Sequence, residues 1–152
     1  MDGLTRNQAL ELFDKISFFK LFTQEEKMTI AKLKSYILKY TNGDYIIKQS
    51  ESDRSVYVLL QGKAQVTKRE KKKMALNTLK PGDVFGEVAF ISERPRTTDV
   101  MSIGNSIALR MDWELFSFLN ETIKNKIKDK LIDVLIQRLD VMNKTLIEQV
   151  RL

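Results

Sequence analysis

The chain contains neither cysteine nor histidine. Without cysteine there is no disulfide and no thiol nucleophile, and without histidine the commonest general base and metal ligand are both missing. Carboxylates, lysines and hydroxyl groups are all that remain for catalysis. We therefore predict no catalytic residues, no metal site and no cofactor.

Long apolar runs are missing as well. No stretch approaches the roughly 20 apolar residues of a membrane-spanning helix, and the opening residues MDGLTR do not begin a secretory signal. We expect a cytoplasmic protein without a membrane span. With 152 residues, of which 43% are hydrophobic and 30% charged, the chain is predicted to form one globular domain around one core.

Basic residues outnumber acidic ones by 26 to 20, which gives a formal net charge of +6. This balance suits an anionic partner such as a nucleotide, a nucleic acid or an acidic membrane surface, and it equally fits a lysine-rich solvated surface. The most basic segment, KREKKK at 68–73, is predicted to be a solvated hairpin tip. Because no interleaved aromatic residues and no recognition helix accompany it, we predict no sequence-specific DNA binding.

Three regions of different pattern follow one another. Residues 1–35 are predicted to be a helical segment, in which Thr23 and Glu26 form a capping box. Residues 36–111 carry short β-branched or aromatic runs between turn residues, which indicates a barrel or jelly roll. Residues 112–152 return to helix, with Asp112 as the N-cap. We predict an α+β fold, a β-jelly-roll barrel flanked by N-terminal helices and a long C-terminal helix.

Two glycine dipeptides inside the β region are interpreted as breaks between strands. Gln61-Gly62 is predicted to separate strands at 55–60 and 64–67, and Gly104-Asn105 strands at 100–103 and 106–109.

The C-terminal helix carries apolar residues at alternating steps of three and four, which is typical of a coiled-coil seam. The seam consists of Ile132, Leu135, Leu139, Met142 and Leu146. It predicts a parallel homodimer through Thr122–Leu152. The alternative is a monomer whose helix packs on its own barrel as a lid over the pocket.

The segment PGDVFGEVAFISERPRTTDV, residues 81–100, carries the chemistry. Gly86 lets a ligand approach the backbone, and a short helix over Glu87–Ile91 offers N–H groups to an anion. Arg96, nine residues after Glu87, suits a phosphate, and the carboxylate suits a sugar hydroxyl. The spacing therefore fits a nucleotide site, and equally a Glu87–Arg96 ion pair that closes a surface loop.

The pattern Phe-Gly-Glu-x-Ala followed by Arg-Thr-x-x-Val resembles the phosphate-binding cassette of cyclic nucleotide-binding domains. These domains occur in bacterial catabolite activator proteins, kinase regulatory parts and nucleotide-gated channels. The spacing from Phe85 to Val100 matches without a gap. The run FFKLF at 18–22 and the turn glycines Gly43 and Gly62 are also similar to the family. Ser50 departs from it, because the family often has glycine there.

The resemblance implies a role for each matching residue. Glu87 would bind the ribose 2′-hydroxyl, with Gly86 leaving room for it, and Arg96 would pair with the cyclic phosphate. Further ligand contacts are implied for the backbone of Val88, Ala89 and Thr97, for Thr98, for an apolar wall of Val84, Phe85 and Ile47 or Leu60, and, near the base, for Met142 and Asn143. A hydroxyl at Thr97 serves guanine in some relatives and the phosphate in others, so cAMP and cGMP both remain open.

The function implied is a sensor module that binds cAMP or cGMP and signals to an effector protein by moving its C-terminal helix. No helix-turn-helix, kinase, channel or cyclase module is found in these 152 residues, so we expect a sensor without its effector or a regulatory fragment of a larger protein. A second hypothesis is a ligand-independent dimerisation protein on the same fold. A third, a phosphodiesterase, is disfavoured by the missing histidine and cysteine.

Overall fold

The computed structural model describes residues 4–33, 36–69 and 73–150. The N-terminal region consists of α1 (Arg6–Asp14), a 3-10 turn (Ser17–Phe19) and α2 (Gln24–Ala31). Helix α2 begins with the predicted capping box, in which the Glu26 N–H donates to Thr23 Oγ1 at 3.1 Å and the Thr23 N–H donates to Glu26 Oε1 at 2.8 Å. These caps satisfy backbone donors that a short helix leaves free.

Within the described residues, six antiparallel strands follow. One further helix comes after the fifth strand and two come after the sixth. The strands are β1 (Ile37–Tyr40), β2 (Tyr45–Ile47), β3 (Ser55–Arg69), β4 (Lys73–Leu79), β5 (Val84–Phe85) and β6 (Asp99–Asp112). The helices are α3 (Glu87–Ser92), α4 (Trp113–Phe118) and α5 (Glu121–Val150). The sheet order is β1-β6-β3-β4, with β2 paired to β6 and β5 paired to β3. The predicted fold class, a β-jelly roll flanked by N-terminal helices and a long C-terminal helix, is confirmed.

Strands β3 and β6 run without a break through both glycine dipeptides, so the predicted breaks are wrong. The register of β3 against β6 shifts on both sides of Gln61, and Gly62 has φ +90°. A Cβ on Gly62 would lie 2.4 Å from the Asn105 carbonyl oxygen. The glycine is therefore needed where a strand bends and its partner's backbone comes close.

The core has two parts on opposite faces of β3. Val56, Val58 and Leu60 pack in a helix-side core with the N-terminal phenylalanines and α5, whereas Tyr57 and Leu59 pack inside the barrel. Successive side chains of a strand point to opposite faces, which explains why this whole run is buried. The barrel interior reaches to β2 and β5, where the site begins.

Helix α5 changes its environment along its length. Ile123, Ile127 and Leu131 are buried in the helix-side core, whereas residues 136–150 are all exposed. Asp112 caps α4 as predicted, accepting from the Leu115 N–H at 2.7 Å. In the described ranges, no helix is long and apolar enough to cross a membrane.

Candidate ligand-binding site

Gly86, the residue before α3, has a left-handed backbone with φ +77°. A Cβ there would lie 2.8 Å from Arg96 Nη1 and 3.1 Å from Ile47 Cδ1. A side chain at position 86 would therefore meet the Arg96 guanidinium. Glycine is required at this position so that the Arg96 guanidinium can reach the Gly86 carbonyl.

Arg96 is 5% exposed and is held by the barrel. Its Nη1 donates to the Gly86 carbonyl at 2.9 Å, and its Nη2 donates to the Ser55 carbonyl at 2.7 Å and to Asp53 Oδ2 at 3.2 Å. Its Nε has no hydrogen-bond partner. The guanidinium is therefore fixed in direction, with one buried donor still available.

Asp53 forms an ion pair with the Arg96 guanidinium. Its carboxylate also accepts from Ser55 Oγ at 2.8 Å and from Arg110 Nη2 at 3.2 Å. Burial alone raises the pKa of Asp53, but the hydrogen bonds from Ser55, Arg96 and Arg110 outweigh it and hold that pKa below its ordinary value. Asp53 is consequently charged at neutral pH.

The backbone of Arg96 is tied to the turn at Ser50. The Ser50 N–H donates to the Arg96 carbonyl at 2.8 Å, and the Arg96 N–H donates to the Glu51 carbonyl at 2.9 Å. Ser50, the position where the resembled family often has glycine, has φ +75°. A left-handed backbone is unfavourable for serine, so this turn carries strain while it holds the loop.

Glu87, the first residue of α3, is completely buried. Its Oε1 accepts a hydrogen bond from Arg138 of α5, whose other terminal nitrogen donates to the Val84 carbonyl at 3.0 Å. Its Oε2 has no partner. Glu87 and Arg96 therefore bind different partners, which rules out the alternative of a Glu87–Arg96 ion pair.

These groups border a cavity of about 150 Å³. Ile47, Val66, Phe85 and Val100 line its apolar side, and Glu87, Arg96, Thr97, Thr98 and Arg138 contribute polar groups. Gly86, Val88, Ala89 and Pro95 complete the wall. An anion and a hydroxyl-bearing group could bind here together, with an apolar surface beside them. The described residues contain no cluster of acidic groups that could hold a metal ion.

Most of the residues expected from the sequence line this cavity, but four do not. The side chains of Val84 and Leu60 lie in the helix-side core, because neighbouring strand residues face opposite sides. Met142 and Asn143 lie on the exposed second half of α5 and are absent from the cavity wall. In this structure, Met142 and Asn143 therefore do not lie at the cavity, where the sequence places their ligand contacts.

Sequence reasoning missed both Arg138 and Asp53. Arg138 follows Ile127 and Leu131 by eleven and seven residues, so all three share one face of the helix. A basic residue in phase with buried apolar ones was the signal for a contact with the barrel. Asp53 carried no comparable signal.

Comparison with known proteins agrees with the resemblance of residues 81–100 to a phosphate-binding cassette. Residues 37–122, more than half of the chain, match the model of the cyclic nucleotide-binding domain. Over 126 residues the chain is 26% identical to the cAMP-dependent protein kinase regulatory subunit of Dictyostelium discoideum, covering 78% of this chain and 38% of that protein. Over 102 residues it is 31% identical to the cGMP-dependent protein kinase of Plasmodium berghei (strain Anka), covering 66% and 11%.

The chain thus spans well under half the length of these curated relatives. A solved structure of PKAR CBD2 bound to Sp-2Cl-cAMPS has a TM-score of 0.72 and 21% identity, covering 93% of this chain and 91% of that one, which shows a shared fold. By its domain match, its cassette and its fold, the chain belongs to the cyclic nucleotide-binding domain family.

Proposed function

We propose that this chain is a sensor that binds a 3′,5′-cyclic nucleotide in the cavity and transmits the event through α5. The observation that carries this proposal is a pair of buried atoms without partners, Glu87 Oε2 and Arg96 Nε, on two side chains that line the same cavity. Leaving a buried polar group unpaired costs about 1–3 kcal/mol. A sugar hydroxyl and a phosphate oxygen supply the donor and the acceptor that these atoms need.

The phosphate end of the site has further donors. The N–H groups of Val88 and Ala89, in the first turn of α3, have no carbonyl within the helix to bond to. Together with the arginine cation they favour a single negative charge. Relatives named for cAMP and for cGMP support a cyclic nucleotide of either base. The exposed Thr97 hydroxyl can serve a base or a phosphate, so both ligands belong in the test.

Transmission is assigned to Arg138. It donates to Glu87, the same carboxylate that receives the sugar hydroxyl, and to the carbonyl of Val84. A ligand that binds Glu87 therefore acts directly on a hydrogen-bond partner of α5. If the ligand has a higher affinity for the protein with α5 in one position than in another, binding shifts the helix towards the first position.

Calorimetric titration with cAMP and with cGMP tests the sensor, with product analysis for turnover. We expect saturable binding of at least one nucleotide, no turnover, and changed amide hydrogen exchange in α5 on binding. Turnover would show an enzyme. Failure of both nucleotides to bind would leave the ligand-independent interaction protein as the function.

The second half of α5 supports a homodimer through Thr122–Leu152 as part of the same proposal. Its outer face carries the exposed apolar side chains Ile132, Ile136, Leu139, Met142, Leu146, Ile147 and Val150, each at least half exposed. A contiguous apolar stripe of this kind is typical of an interface. Ile132, Ile136, Ile147 and Val150 lie on a different face of the helix from Arg138, whereas Met142, four residues after Arg138, lies beside it at the edge of the stripe.

Sedimentation of L139E/M142E tests the dimer, with Q137E/T145E as a control of equal charge change away from the stripe. We expect the first variant to be monomeric and the control to be dimeric. A wild-type monomer at concentrations on the order of tens of micromolar, with and without ligand, would contradict the dimer. Weaker ligand binding at unchanged mass would instead support the lid.

The proposal also includes a cytoplasmic location, an effector protein as partner and no sequence-specific DNA binding. Cell fractionation tests the location. Any DNA affinity should fall steeply with salt, and a footprint at one defined site in moderate salt would contradict this part.

A further inference from the structure

Asp53 lies between Arg96 and Arg110, and each of its two carboxylate oxygens forms an ion pair with one of them. Its Oδ2 accepts from Arg96 Nη2 at 3.2 Å, and its Oδ1 accepts from Arg110 Nη2 at 3.2 Å. Ser55 Oγ donates to Oδ1 at 2.8 Å and fixes the carboxylate. The side chains of Arg96, Asp53 and Arg110 are 4%, 28% and 34% exposed, so water screens the outer arginine only in part.

The strand register holds Arg110 in this place. On β6 it is paired with Tyr57 of β3, and on the other side of Tyr57 lies Phe85 of β5. The rings of Tyr57 and Phe85 stack with their centroids 5.1 Å apart. Phe85 lines the cavity, whereas Arg110 does not. Arg110 thus lies behind the site, where its ion pair with Asp53 and its neighbour Tyr57 link it to Arg96.

The charges give Arg110 a function. Arg96 and Asp53 alone form a neutral pair, and a neutral pair attracts a phosphate weakly. With Arg110 the cluster of three carries one positive charge, and the Asp53 carboxylate no longer neutralises Arg96 alone. We propose that Arg110 is a positioning residue that keeps Arg96 oriented and electrostatically available for the phosphate of the ligand. This inference rests on the proposed cyclic nucleotide site and adds a determinant outside its wall.

The experiment compares the affinities of the full chain, R110Q, R110K and a charge-matched control, R6Q, which alters an exposed residue of α1. The ligands are the better-bound cyclic nucleotide and its nucleoside, which lacks the phosphate. We expect R110Q to weaken cyclic nucleotide binding by about three- to tenfold. Nucleoside binding should be unchanged, and R110K and R6Q should stay within about twofold of the wild type.

A double-mutant cycle with D53N tests the route of the effect. In D53N, the further change R110Q should cost about twofold or less, because the carboxylate through which Arg110 acts is gone. Wild-type affinity in R110Q, or an equal loss for nucleotide and nucleoside, would overturn the inference while leaving the proposed function intact. If R110Q does not fold, a tenfold loss in folded R110K overturns it. A wild-type chain that binds no cyclic nucleotide overturns both.

Discussion

Two arginine–carboxylate pairs border the cavity, and they are built differently. Arg96 and Asp53 lie next to the barrel, where the guanidinium also bonds two backbone carbonyls. Glu87 and Arg138 join α3 to α5, and the Arg138 side chain is 47% exposed. The first pair is therefore held by backbone carbonyls of the barrel as well, whereas the second depends on how a helix is docked.

In the proposed nucleotide site, where Arg96 receives the phosphate and Glu87 the sugar, the difference assigns separate tasks to the two ends. Moving Arg96 would break hydrogen bonds of the barrel itself, so the phosphate end stays in place. Moving Arg138 requires only that α5 shift, and everything in α5 after Ile136 lacks burial against the barrel. Regions with few buried contacts open at low free-energy cost. The sugar end is thus where a ligand can change the structure.

The largest expected effect is at the phosphate end. Arg96→Ala removes the charged donor and should weaken cyclic nucleotide binding by about 1.5–3 kcal/mol, which is about ten- to 150-fold. Calorimetry measures it, and Arg94→Ala, a change at an exposed neighbour, is the control. Because Arg96 also bonds the barrel, Arg96→Lys serves as a second variant if the alanine protein is unstable. Unchanged affinity in folded variants would remove Arg96 from the site.

A smaller loss is expected at the sugar end. Glu87→Gln keeps the shape of the side chain but weakens the hydrogen bond to a sugar hydroxyl, by about 0.5–1.5 kcal/mol. The loss should be greater for the cyclic nucleotide than for its 2′-deoxy analogue, which lacks that hydroxyl. Equal losses for both ligands would contradict a contact between Glu87 and the 2′-hydroxyl.

Stability should rise slightly when the strained turn behind Arg96 is relaxed. Ser50→Gly removes the side chain from a backbone with φ +75° and should raise the free energy of unfolding by about 1 kcal/mol. Ser117→Gly, within helix α4, should lower it by about as much. Urea unfolding measures both. A Ser50→Gly protein less stable than the wild type would show that the serine side chain is needed.

Acid should weaken the pair of Arg96 and Asp53. Since the pKa of Asp53 is held below the ordinary value of an aspartate, its contribution to stability is complete above that ordinary value and is lost as the pH falls through the lowered pKa. The free energy of unfolding should therefore fall more steeply below about pH 4 in the wild type than in Asp53→Asn. Parallel curves from urea unfolding would mean that Asp53 adds no pH dependence.

The sequence predicted what depends on near neighbours. The capping box at Thr23, the N-cap at Asp112 and the short helix after Gly86 each follow from residues within one helical turn. The breaks at Gly62 and Gly104 failed because a glycine inside a bent strand and a glycine in a turn look alike locally. At Gly62 the approach of the Asn105 backbone distinguishes the two cases, whereas a Cβ on Gly104 would meet no atom within 4 Å.

The sequence by itself determined the cassette, because Phe85 to Val100 is one short segment whose spacing brings a carboxylate and an arginine to the same wall. Tertiary structure alone decided which partner each charge has. Asp53 precedes Arg96 by 43 residues and Arg138 follows Glu87 by 51. The physical reason is that an ion pair needs proximity in space. The backbone hydrogen bonds of Arg96 to the loop at Ser50 and Glu51 supply that proximity for Arg96, and the docking of α5 supplies it for Glu87.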